Sequence, residues 1–288
     1  MKVSASANSA GAITLGVLMQ ISQAFQQAVS AMSWPIDNLA KVADWRASVE
    51  RVLSLHQAIQ LLIAHVGPDG RSIIDVVPSS SRTLAFRRVS IADPNGEIAV
   101  AEFDADIGQG ERVLIEGDTG AALKLFKVVA GMWPWGKGRV DLPDASIFFA
   151  TQRPYLPIGP LRDAVSYPAT IPPLDDLSLR SVLERVGLAH WGAQLDRSEN
   201  WEQILAPDEQ QRLGFARLLL HRPDWIFIEE ATDALEANGE AAMMGLLEKE
   251  LPHATVITIG HHPGLAVYHS RRLALVRRDG FAVLETRG

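Results

Sequence analysis

The residues best suited to chemistry fall in one loop, one strand end and two short turns. The apolar run Arg112-Val113-Leu114-Ile115-Glu116 leads into Gly117-Asp118-Thr119-Gly120-Ala121-Ala122-Leu123-Lys124-Leu125 and then a helical pattern. A strand, a glycine-bearing loop and a helix in that order can hold phosphate oxygens, because backbone N–H groups and the positive end of the helix dipole converge there. The full phosphate-loop pattern is G-x-x-x-x-G-K-[ST]. Gly117 fits its first glycine, but Ala122 stands at the second, Leu123 at the lysine and Lys124 at the serine or threonine. Ala122 adds a methyl group where positive φ and close backbone approach are useful. Leu123 removes the cation that meets the outer phosphates. Lys124 removes the hydroxyl that binds Mg²⁺ and sets an ammonium in the ion's place, where it could pair with Glu229. Taken alone, this loop reads better as an ordinary strand–turn–helix corner than as a nucleotide site.

Further along, Thr151-Gln152-Arg153-Pro154-Tyr155 follows an apolar run at 147–150, and Glu209-Gln210-Gln211-Arg212 opens a helix. Ile226-Phe227-Ile228 ends in Glu229 and Glu230, then Ala231-Thr232-Asp233-Ala234-Leu235-Glu236; the run at 255–259 ends at Gly260-His261. Without further context, Gln152 reads equally as a polar turn residue, the paired glutamates as a solvated strand edge and His261 as a capping or surface residue.

The elements that must position these groups alternate. β-rich runs at 84–91, 97–103, 112–116, 146–150, 225–229, 255–259 and 273–276 are separated in several places by helical stretches near 121–131, 176–187, 208–221 and 236–250. That alternation predicts an α/β domain with a largely parallel sheet. The early strands lie close together and predict an antiparallel β subdomain first. Before them, residues 10–60 read as two helices, with apolar stripes Leu18, Ile21, Phe25, Val29, Met32 and Leu39, Val42, Trp45, Val49, Val52 at three- and four-residue steps. Pro35 ends or kinks the first. The pair is either a helical hairpin packed on the main domain or the end of a last transmembrane helix with its exit. Gly67-Pro68-Asp69-Gly70 and Pro78-Ser79-Ser80-Ser81 mark a linker.

Composition narrows the chemistry. The 288 residues carry a formal net charge of -7 and no cysteine. A general nucleic-acid binder would show a basic surface, and thiolate chemistry is excluded. The eight histidines show no metal-ligand spacing; His261 and His262 are adjacent, and adjacent positions on a strand or helix face different ways. The stretch 10–34 is interrupted by Gln20, Gln23, Gln26 and Gln27. That is poor material for a full bilayer span of roughly 20 mostly apolar residues.

The order and spacing of segments across 83–278 resemble an ABC transporter ATP-binding domain. Gly131-Met132-Trp133-Pro134-Trp135-Gly136, Gln152-Arg153-Pro154-Tyr155-Leu156-Pro157 and Leu161-Arg162-Asp163 resemble one branch, which includes bacterial transporters related to the peroxisomal fatty-acyl transporters and to peptide and vitamin B12 uptake proteins. Ile13-Thr14-Leu15-Gly16, Leu18-Met19-Gln20 and Ala43-Asp44-Trp45-Arg46-Ala47 resemble that branch's last transmembrane helix and its exit. The resemblance implies an ABC-type P-loop NTPase fold, with a parallel-sheet core, an antiparallel β subdomain and a helical insertion at about 158–222, preceded by a helical segment. The implied divisions are a helical segment at 1–60, a linker at 61–82 and the ATP-binding domain at 83–288.

Roles follow from the same resemblance. Gly117, Asp118, Thr119, Gly120, Ala121, Ala122, Leu123, Lys124 and Leu125 would wrap the phosphates of ATP. Gln152 would touch Mg²⁺ or the attacking water. Glu229 would hold the metal, although aspartate is usual there. Glu230 would be the general base and His261 would contact the γ-phosphate. The signature loop reads Leu205-Ala206-Pro207-Asp208-Glu209 instead of a form close to L-S-x-G-[QE], so it lacks the serine hydroxyl and aims a carboxylate at the phosphates. Asp233 and Glu236 replace a serine and an aspartate, and 89–94 contains no aromatic to stack on adenine; Phe86 is nearest and reads as core. The implied partners are a transmembrane domain and a second ATP-binding domain, equal or different, at the cytoplasmic face of the inner (plasma) membrane, with no nucleic acid. Three readings remain: a subunit with slow or impaired hydrolysis, a pseudo-ATPase of structural or regulatory role, and a truncated relic. Departures confined to catalytic loops, with the core patterned normally, favour the second over the first.

Overall fold

The computed structural model describes residues 15–65, 73–168 and 174–287. The turn formers at 67–70, most of the proline stretch 168–173, and Ile13 and Thr14 therefore lie outside the described residues. The chain forms two compact units, Met1–Ala64 and His65–Gly288. The first holds α1 (Leu15–Asp37) and nearly all of α2 (Leu39–His65). Pro35 does not end α1 at once: the helix runs two residues past it, to Asp37. Leu18, Ile21, Phe25 and Met32 on α1, and Leu39, Trp45 and Val52 on α2, are all more than half exposed. No helix among the described residues is long and apolar enough to cross a membrane.

The second unit is built on strands β1 (Asp75–Ser79), β2 (Thr83–Ala92), β3 (Ile98–Gly108) and β4 (Arg112–Gly117), followed by α3 (Thr119–Val129), β5 (Gly136–Pro143) and β6 (Ile147–Thr151). A mostly helical section comes next: β7 (Gly159–Pro160), α4 (Leu161–Ser166), α5 (Asp176–Arg185), a 3₁₀ helix at Ala189–Gln194, β8 (Ser198–Glu199), α6 (Trp201–Ile204) and α7 (Pro207–His221). The chain closes with β9 (Trp225–Glu229), α8 (Ala237–Glu250), β10 (Thr255–Ile259), a 3₁₀ helix at Pro263–Tyr268, β11 (Arg271–Arg278) and β12 (Phe281–Arg287). Ten strands form one sheet in the order β1-β5-β2-β3-β12-β11-β4-β10-β9-β6. From β11 to β6 every pairing is parallel, while β2 pairs antiparallel with both β3 and β5. The antiparallel subdomain is thus continuous with the parallel core. The 61–82 stretch is not all linker: it contains the end of α2 and the strand β1, which pairs with β5.

Alternation along the buried strands divides the core between two faces. Leu114, Ile226, Ile228 and Val256 pack with the helices α4, α5, α7 and α8. Val113, Ile115, Trp225, Phe227, Ile257 and Ile259 pack with α3 and the β subdomain. Phe86, nearest to the expected adenine position, is buried in this second cluster with its ring 5.4 Å from that of Phe103. Every strand of the parallel core is therefore held on both sides, which fixes where its carboxyl ends emerge.

Candidate functional site

Four strand ends lie level. Ile115 of β4 pairs with Ile259 of β10, Ile259 with Glu229 of β9, and Glu229 with Thr151 of β6. In open α/β sheets the crevice beyond such carboxyl ends is where ligands bind. The register delivers Gly117, Gln152, Glu229, Glu230 and His261 to this one edge, although they are spread over 145 positions of sequence (261 minus 117, inclusive).

The loop after β4 differs in shape from an open phosphate cradle. Gly117 has φ +105, and a Cβ there would lie 2.2 Å from the carbonyl oxygen of Leu275 on β11, so no other residue fits. Asp118 is the N-cap of α3, which already begins at Thr119. Its main-chain N–H donates to the Leu275 carbonyl at 2.9 Å, its Oδ1 accepts from Ala121 N–H at 2.9 Å, and its carbonyl accepts from Ala122 N–H at 2.9 Å. Its Oδ2 accepts from Arg277 at 3.1 Å. The helix end that would face an anion thus holds the protein's own carboxylate, which satisfies an otherwise unpaired N–H and complements the helix dipole. Ala121, Ala122 and Leu125 turn their side chains into the core.

Lys124 departs from its expected place. Its ammonium pairs with Asp93 at 2.7 Å and lies 5.8 Å from the centroid of the Trp133 ring. It therefore neither fills the metal's position nor pairs with Glu229. Asp93 lies 31 residues earlier in the chain (124 minus 93), and only the β2–β3 turn packing beside α3 supplies it.

At the end of β9, burial pushes the Glu229 carboxyl above its ordinary value, and the nearby charges of Glu230 and Asp233 act in the same direction. The N–H of Gln152, 3.4 Å from Glu229 Oε2, and the charge of Lys127 oppose the shift. Glu230 takes a left-handed φ of +48, its N–H donates to Ile259, and its Oε1 lies 3.9 Å from Nδ1 of His261. The Gln152 amide donates to Asp233 at 3.2 Å. Gln211, which the sequence did not single out, is almost fully buried on α7. Its amide N–H₂ contacts the carbonyls of Gln152 and Glu230 at 3.2 and 3.4 Å, and its oxygen accepts from Ala234 N–H at 2.9 Å. One side chain thus ties the turn after β6 to the turn after β9. A polar cleft of about 410 Å³ opens here between Gln152, Arg153, Pro207, Gln210 and Asp233.

The turn before α7 is self-contained. Pro207 is its first residue, and Glu209 reaches back to accept from the N–H of Ala206 at 2.9 Å. Ala206 has no side-chain acceptor to return the bond. Burial alone would raise the Glu209 carboxyl, but hydrogen bonds from Ala206, Trp191 and His190 hold it below its ordinary value. Asp208 lies 3.8 Å from Arg212 one turn along the helix.

No family model matches the chain. Curated proteins do. It is 35% identical over 202 residues to an uncharacterised ABC transporter ATP-binding protein of Haemophilus influenzae, covering 70% of this chain and 34% of that protein. It is 31% identical over 256 residues to the inner membrane ABC transporter ATP-binding protein YddA of Escherichia coli, covering 88% of this chain and 44% of YddA. The chain belongs to the ABC transporter ATP-binding family. An Arabidopsis thaliana ABC transporter D family member 1 is 31% identical over 218 residues, 71% of this chain and 16% of its own. The chain thus spans less than half the length of each of these relatives.

An ABC ATP-binding domain implies Mg²⁺ and ATP, and the residues present do not fit that pair. The loop amides of Asp118, Ala121 and Ala122 are bonded within the protein, an acidic side chain stands at the helix end, and the two positions expected to carry lysine and a hydroxyl carry Leu123 and a Lys124 held by Asp93. The metal side is less altered, since Gln152 and Glu229 adjoin and Glu230 adjoins His261.

Proposed function

We propose that this chain is the ATP-binding-cassette part of an ABC membrane transporter, acting as a non-hydrolysing module that pairs with a second ATP-binding domain and a transmembrane region. The observation that carries this reading is the loop after β4, closed as a helix turn on the carboxylate of Asp118. Phosphoryl transfer depends almost wholly on positioning and charge stabilisation, so losing the cradle, the cation and the metal hydroxyl together removes its main sources. The fold is intact around the loss, which suits a role in assembly or regulation. YddA's name supports a place at the inner membrane; this reading puts the chain at its cytoplasmic face, with α1 and α2 as the segment leading from the transmembrane region. A subunit with residual slow turnover is the second reading, supported by the adjacency of Gln152, Glu229, Glu230 and His261.

Titration of ATP with Mg²⁺, and again with excess chelator, separates the two. The expected result is weak binding that Mg²⁺ does not strengthen and no phosphate release above background. The double variant Leu123→Lys, Lys124→Ser is expected to gain Mg²⁺-dependent binding by tenfold or more, about 1.4 kcal/mol. Tight, Mg²⁺-dependent binding by the unaltered chain would sink the proposal and favour the second reading.

A further inference from the structure

Apart from any nucleotide, we propose that Asp233, His261 and His262 form a binding site for a divalent transition-metal ion of the zinc class. One donor atom from each of the three lies within 4.8 Å of the other two. Two imidazoles and a carboxylate suit Zn²⁺ and its neighbours, whereas Mg²⁺ prefers oxygen ligands and retained waters. The two histidines were expected to face apart, as neighbours do on a strand or helix. They lie instead in irregular chain between the end of β10 and the 3₁₀ helix at Pro263–Tyr268, and their rings pack edge to face with centroids 4.6 Å apart.

The groups behind these three donors are arranged as a metal site requires. Nδ1 of His262 lies 2.8 Å from Oε2 of Glu240, which is only 4% exposed and also accepts from the Thr232 hydroxyl at 2.8 Å. An ionised carboxylate only accepts, so Nδ1 carries the proton and the lone pair of His262 sits on Nε2, free for a metal. Asp233 Oδ2 takes the amide of Gln152 at 3.2 Å, which orients the carboxylate and leaves Oδ1 available. Its main-chain N–H donates to the Glu230 carbonyl at 3.2 Å, fixing the turn. His261 is half exposed, giving an ion a path from solvent, and Glu230 Oε1, 3.9 Å from its Nδ1, adds negative charge beside the site. Donors at about 2.0–2.1 Å from a tetrahedral ion sit about 3.4 Å from one another, so the three must close by about 1.4 Å at most. Side-chain rotation of the partly exposed Asp233 and the exposed His261 supplies that. Three protein ligands leave a fourth position for water or Glu230. The ion would join the turn after β9 to the end of β10, two neighbouring strand ends.

The test uses the full chain without nucleotide, so it stands or falls separately from the function proposed above. Zn²⁺ is titrated calorimetrically, and Co²⁺ is followed by the visible absorption of a four-coordinate N/O site. One equivalent should bind, with Mg²⁺ in large excess failing to compete. His261→Ala, at an exposed position that should not disturb folding, is expected to lower affinity at least a hundredfold, and Asp233→Asn similarly. Glu240→Gln should weaken binding about 10- to 100-fold through His262 alone. His253→Ala, exposed and before the opposite end of β10, should leave affinity unchanged. Absence of the cobalt band, or zinc affinity undiminished in both His261→Ala and Asp233→Asn with native circular dichroism, would overturn the proposal.

Discussion

Gln211 shows how a single neutral side chain can organise a charged site. Its donors and its acceptor are all used, on the turn after β6 and at two points of the turn after β9. Gln211→Ala would leave the N–H of Ala234 without its acceptor and free the turns at Gln152 and Glu230. A loss of about 2–3 kcal/mol is expected, measured by urea unfolding. His269 makes a second residue-scale case. It is buried, with Nδ1 2.7 Å from the Leu265 carbonyl and Nε2 2.8 Å from the Thr258 hydroxyl. The carbonyl can only accept, so the neutral ring donates from Nδ1 and accepts at Nε2. Burial lowers its pKa below the ordinary value; Arg112 acts in the same direction, while the Leu265 carbonyl and Glu116 oppose it. A histidine held neutral contributes stability that is complete above its unfolded pKa and is lost progressively as pH falls from there through its lower folded-state pKa. The melting temperature should therefore drop between about pH 7.5 and about pH 5.5, and His269→Gln should flatten that slope. An identical slope in the variant would place the titration elsewhere.

At the scale of elements, the cap on α3 is the feature most open to test. Asp118→Ala removes the N-cap and should cost about 1 kcal/mol of stability, read as a lower melting temperature. The same change removes a negative charge from the helix end and releases Arg277, so ATP affinity in chelator should rise as stability falls. Both values falling together would mean that the helix end does not face the ligand. The elements themselves were legible wherever they were apolar: the runs at 225–229 and 255–259 are strands at those very residues, because a fully buried strand has little room for polar residues. Strands β1 and β5 were not legible. β1 is a sheet edge and tolerates Pro78, while β5 carries Gly136 and Gly138, which pass so near β2 that a Cβ on Gly138 would lie 2.3 Å from the carbonyl of Arg88. The loop sequence disclosed that lysine and hydroxyl were missing. It could not disclose that Asp118 caps the helix or that Lys124 turns to Asp93, since both depend on partners fixed by the folded sheet. The juxtaposition of His261, His262 and Asp233 was hidden for another reason: the periodicity rule for neighbours does not hold in irregular chain.

At the scale of the molecule, the division into Met1–Ala64 and His65–Gly288 separates two kinds of surface chemistry. The second unit buries its apolar residues on both faces of a sheet. The first presents Leu18, Met19, Ile21, Phe25 and Met32 from one helix and Leu39, Trp45, Val52 and Leu55 from the other, each more than half exposed. Contiguous apolar surface of this kind is uncommon on a soluble monomer and marks a region that meets another protein surface or lipid. The relatives are more than twice as long as this chain's match to them, which leaves room in each for such a surface. If the helices serve a membrane region and not the core of the second unit, removing residues 1–64 should leave that unit's melting temperature unchanged to within about 1 °C, below the shift of about 2–4 °C that about 1 kcal/mol produces in a domain of this size. Solubility should rise, because the exposed stripe leaves with the helices. Differential scanning fluorimetry and the concentration at which light scattering begins, compared between the full and shortened chains, measure both. A shortened chain that melts lower and aggregates sooner would show that α1 and α2 cover part of the second unit, and the membrane-facing role proposed for them would then be withdrawn.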